Sequence, residues 1–87
     1  MIVNIQGNTI DARKIEAVSK ITTEAKSHMS TYTFKICLST YFYYIKCDNK
    51  NNCTTMRDTL VKYWIDSLNP LIDKIPSSVE DIIFINS

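Results

Sequence analysis

Between Tyr32 and Cys47 the chain alternates apolar and polar residues in two runs of matching phase, and this stretch dictates a sheet around which the rest must pack. The runs are Tyr32-Thr33-Phe34-Lys35-Ile36-Cys37-Leu38 and Tyr41-Phe42-Tyr43-Tyr44-Ile45-Lys46-Cys47, joined by Ser39-Thr40. A strand turns successive side chains to opposite faces, and β-branched and aromatic residues fit such a half-buried surface. Folding the runs together at Ser39 and Thr40 sets Leu38 opposite Tyr41, Ile36 opposite Tyr43, Phe34 opposite Ile45 and Tyr32 opposite Cys47. All of these share one apolar face. A four-residue loop keeps the same pairing, so the faces do not depend on the turn type. The second face carries Thr33, Lys35, Cys37, Phe42, Tyr44 and Lys46.

After Cys47, the composition of Asp48-Asn49-Lys50-Asn51-Asn52 reads as a loop. A helix over about 54–68 follows, with Thr55 and Asp58 spaced as a capping box and Asn69-Pro70 as its stop. Met56, Leu60, Tyr63, Trp64 and Leu68 form its apolar stripe, and Asp58, Lys62 and Asp66 its polar one. Val61 and Ile65 widen the apolar arc beyond what one sheet face covers, so a further element should pack there. Leu71, Ile72 and Ile75 precede Pro76, and Ser77 with Glu80 is spaced to cap a short helix. Ile82-Ile83-Phe84-Ile85 reads as a buried strand. Such a tail completes the sheet, covers an open face or pairs with a second copy of the chain, because left bare it is an adhesive edge.

The N-terminal third is less determinate. Ile2-Val3-Asn4-Ile5 and Thr9-Ile10 flank the turn signal Gln6-Gly7-Asn8 and predict a strand, a tight turn and a second strand. From Asp11 to Met29 both periods occur. Ile15, Val18, Thr22, Ala25 and Met29 fall at helical spacing, while Ile15, Ala17, Ser19, Ile21 and Thr23 alternate with polar neighbours. The β-branched content favours a strand over about 14–24. The prediction is therefore an α+β fold with an antiparallel sheet of about four to five strands. Its centre is the hairpin (32–38, 41–47), packed by one C-terminal helix and followed by a strand-like tail, all in one domain over 1–87.

Chemistry is excluded more readily than assigned. A single Gly rules out a phosphate-binding or dinucleotide loop. His28 has no second His, and Glu24 is its nearest acid in sequence. Cys37, Cys47 and Cys53 match no zinc or redox spacing, and Asp48-x-Lys50-x-Asn52 puts a lysine where a calcium loop needs an oxygen ligand. Asn52-Cys53-Thr54 matches a glycosylation acceptor by chance composition. No catalytic residue, metal or cofactor is expected. Three cysteines, no signal-peptide pattern and no long apolar run predict a reduced, cytoplasmic protein without a membrane role. Net charge is +1, but residues 13–57 are basic and those from Asp58 onward are acidic, a polarity that can steer a partner.

Function is therefore sought on the second face of the hairpin. Phe42 beside Cys37, Tyr44 beside Lys35 and Lys46 near Thr33 place two aromatics among lysines. Three readings follow: core covered by the tail or a second sheet, a protein interface with aromatic anchors, or a platform for single-stranded RNA or DNA. Asn49, Lys50 and Asn51 extend the candidate surface, and Ile82, Ile83, Phe84 and Ile85 are candidates for homo-oligomer contact.

The order of a Gly turn after Ile5, an Ile10-Asp11 opening, an aromatic hairpin and a Trp64-bearing helix resembles small pleckstrin-homology-like or SH3-like domains of phage and mobile-element proteins. The resemblance reaches to about Leu68. It implies a non-enzymatic adaptor or inhibitor, such as the phage proteins that block host defence nucleases in the anti-CRISPR manner, and carries over no binding residues.

Overall fold

A computed structural model describes residues 1–68 and 82–86. The expected stop at Asn69-Pro70, the apolar run to Ile75 and the Ser77 cap lie outside these residues. The fold is α+β, with two sheets and one α-helix among the described residues. The first sheet has the order β2-β1-β7, from β1 (Ile2–Ile5), β2 (Asn8–Asp11) and β7 (Ile82–Ile85). The second is built on β5 (Met29–Cys37). One edge of β5 pairs with β6 (Phe42–Cys47), and the other is shared by β3 (Ala17–Val18) and β4 (Thr22–Lys26). Helix α1 (Lys50–Ser67) packs against β5, β6, β7 and a 3-10 turn at Ala12–Lys14.

The central hairpin has the expected register, with Tyr32 opposite Cys47, Phe34 opposite Ile45 and Ile36 opposite Tyr43. Phe34, Ile36 and Ile45 are fully buried, and with Val3, Ile5, Cys53, Met56, Leu60 and Ile85 they make the core. Burying a side chain of this size is worth about 1.5–3 kcal/mol. Tyr41 stays on the side of Leu38 and Tyr43 but is not buried there. It belongs to the loop, where its carbonyl accepts from the Leu38 amide at 2.8 Å, and it stays 59% exposed with its ring edge-on to Tyr43.

Segment 11–29 is largely extended, but broken where one strand over about 14–24 was expected. Asp11 caps the 3-10 turn by accepting from the Arg13 amide at 3.0 Å. At Ser19 the ladder continues through a side chain: the Ser19 amide donates to Lys35 O at 2.8 Å, and Ser19 Oγ accepts from the Lys35 amide at 2.7 Å. The helix ties this segment down. Trp64 Nε1 donates to Ile15 O at 3.0 Å and Arg57 Nε to Ser19 O at 2.7 Å. Each removes a carbonyl that a continuous ladder would otherwise have to satisfy.

The helix begins at Lys50, four residues before the expected start. Asn49 is the cap, its Oδ1 accepting from the Asn51 and Asn52 amides at 2.8 and 3.2 Å. Thr55 therefore lies within the helix, and the expected Asn-rich loop shrinks to Asp48-Asn49. Asn is among the strongest N-cap residues, and it wins over the later capping box. The tail strand completes a sheet, though not the central one and not antiparallel: β7 runs parallel to β1, with Ile82 opposite Ile2 and Ile85 opposite Ile5. No helix of the described residues is long and apolar enough to cross a membrane.

Candidate binding face

Pairing carries side chains of the central sheet to a common face. Cys37 lies opposite Phe42, Lys35 opposite Tyr44 and Thr33 opposite Lys46, the juxtaposition expected from the sequence. On the other edge of β5, Thr22 lies opposite Thr33, Glu24 opposite Thr31 and Lys26 opposite Met29. These residues join the surface. Their alternation in Thr22-Thr23-Glu24-Ala25-Lys26 was the available signal, but the competing helical period of segment 11–29 obscured it.

This face is open. Phe42 is 52% and Tyr44 60% exposed, although Phe42 opens β6 opposite Cys37 and Tyr44 lies within it opposite Lys35. The Ile82–Ile85 tail does not cover them, since it belongs to the other sheet. Within that tail Ile85 is buried and Ile83 half-buried, so only Ile82 and Phe84 of the proposed oligomer contacts are available on the surface. Lys35 is half-buried, and its Nζ stands 4.9 Å from the centroid of the Phe42 ring, a cation–π distance. Between Lys35 and Tyr44 a hollow of about 250 Å³ is lined also by Ser19, Thr22, Thr33 and Phe34. Glu24 and Lys26 pair with each other at 3.4 Å, leaving Lys35 and Lys46 to set the charge around the aromatics.

The other candidates sit elsewhere. Lys50 and Asn51 are exposed on the first turn of α1, past the Cys47 end of β6, and Asn49 is engaged as the cap. His28 is exposed in the turn between β4 and β5. Among the described residues no cluster of three or more His, Cys, Asp or Glu could hold a metal. Cys47 and Cys53 are buried free thiols, and Cys53 Sγ donates to Tyr32 O at 3.6 Å. Burial, with the Cys47 thiol beside it, pushes the Cys53 thiol up to about 12, so it carries almost no thiolate at neutral pH. A second surface is the helix groove of about 390 Å³ lined by Asp58, Val61, Lys62, Ile65 and Asp66, where the expected excess apolar arc of α1 lies. Ile65 is 60% exposed there.

Comparison with protein-family models, with curated proteins and with solved structures finds no match to this chain.

Proposed function

We propose that this chain is a small non-enzymatic binding protein that captures a protein partner on the open face carrying Lys35, Phe42, Tyr44 and Lys46. The observation that supports the reading is the exposure of Phe42 and Tyr44, 52% and 60%, on a strand paired with β5 along its whole length. Aromatic side chains that offer area at low rotamer cost are the usual anchors of protein interfaces. Here they cost the fold little, because the core is complete on the opposite face. An inhibitory role, including the anti-CRISPR role implied by the resemblance to phage domains, would be read from the identity of the partner.

The test is a paired one. The double variant Phe42→Ala/Tyr44→Ala should keep the wild-type circular dichroism spectrum and a melting temperature within a few degrees. It should also lose the partner that wild-type protein retains from a lysate of the source cells. If the double variant unfolds, the two rings are core and the reading is wrong.

The exposed Tyr44 ring on the same face as Lys46 also supports a second reading, a single-stranded RNA or DNA platform. Phosphate-dominated binding weakens steeply with salt. A fluorescence-anisotropy titration with labelled oligonucleotides at low and physiological salt decides it, and no binding at low salt dismisses it.

A further inference from the structure

Resting on the reading of this face as a protein-binding surface, we infer that the partner presents an acidic segment, with a carboxylate seated in the hollow beside Lys35 and an apolar group against Phe42. Charge is the first argument. Of the ionic groups that strand pairing places on this face, Glu24 and Lys26 neutralise each other at 3.4 Å, and neither Lys35 nor Lys46 has a carboxylate partner among the described residues. Among the described residues, the aromatic patch is thus bordered by two positive charges without a carboxylate partner.

Geometry is the second. The hollow of about 250 Å³ has Lys35, Thr33 and Tyr44 in its lining, residues whose side chains carry an ammonium and two hydroxyl groups. A carboxylate has acceptor capacity for all three, and hydrogen bonds between ionised groups are the strong ones. Lys35 is half-buried, so a pair formed there is screened less than one made at the rim.

The same features disfavour nucleic acid. Two lysines neutralise few phosphates, and log affinity for a single strand falls only about 0.7 per contact with log salt, so the gain from counterion release is small. The Lys35 ammonium, 4.9 Å from the Phe42 centroid, also occupies a face of the ring on which a base would stack.

The experiment is an amide-detected NMR titration of the full chain with three probes. They are a blocked peptide of phenylalanine flanked on each side by two glutamates, its glutamine counterpart, and hexathymidylate. The acidic peptide should shift the Thr33, Lys35, Phe42 and Tyr44 amides and bind about tenfold tighter than the glutamine peptide. Lys35→Gln should bring that ratio close to one, while Lys35→Arg keeps it. Equal affinity for both peptides, no shift on this face, or tighter binding of hexathymidylate overturns the inference. Loss of partner capture by the Phe42→Ala/Tyr44→Ala protein is measured without regard to the charge of the partner, so failure here and failure of the face itself are separate results.

Discussion

At the scale of single residues, Asp11 shows how a polar group earns its place in a turn. Burial raises its carboxyl pKa, but hydrogen bonds from the side chain and backbone of Arg13, together with the guanidinium charge, outweigh that and hold it below the ordinary value of 3.8. A folded-state pKa below the unfolded one gives stability that is full above the unfolded pKa and is lost as pH falls through the folded pKa. Asp11→Ala should therefore cost about 1 kcal/mol at pH 7, as loss of a cap does. The gap to wild type should shrink on acidification through and below the ordinary carboxylate range. Urea unfolding at neutral and acid pH measures it, and a gap that does not change with pH would show that the carboxylate charge contributes nothing.

Among the elements, α1 shows that a local signal is read correctly only when its competitors are weighed. Thr55 with Asp58 and the loop-like Asp48–Asn52 both pointed to a late start, yet Asn49 caps the helix at Lys50. Composition counted Asn as a loop former. At the N-cap the same preference opens a helix, since the side chain accepts the amides that the first turn leaves unpaired. Asn49→Ala should cost about 1 kcal/mol in chemical denaturation, while Thr55→Ala should lie within about 0.5 kcal/mol of wild type. The reverse order would restore the later cap. The central hairpin, by contrast, was legible residue by residue, because its period-two pattern fixed both faces and a one-residue slip would have reversed them. The candidate site inherited that legibility: Lys35, Phe42, Tyr44 and Lys46 meet on one face because the register was readable. Segment 11–29 was not. Its Ile15 and Ser19 carbonyls are taken by Trp64 and Arg57 from the helix, and between β3 and β4 its ladder passes through the Ser19 side chain, none of which leaves a periodic trace.

On the scale of the whole molecule, the described chain measures 50 × 23 × 19 Å with a radius of gyration of 14.0 Å, against about 12 Å for a compact domain of this length. The β4–β5 end contributes to the elongation, since every residue of β4 is exposed and its hairpin has no core of its own. A two-stranded ribbon is marginal by itself. Amides of Thr22–Met29 should exchange with solvent about a hundredfold faster than those of Phe34 and Ile45, which report near-global opening. Hydrogen-exchange NMR reads this directly. Equal protection along β5 would mean that the hairpin opens only with the whole domain.

Parallel pairing of β1 with β7 joins residues 2–5 to residues 82–85, and that separation sets an order of events in folding. The length-dependent entropy of closing so long a loop is about 4 kcal/mol, whereas the β5–β6 hairpin closes through a short turn. Contacts of high sequence separation form late. On the ribosome, Val3 and Ile5 emerge well before Ile82–Ile85, so β1 stands without one of its two strand neighbours while the residues between them are being made.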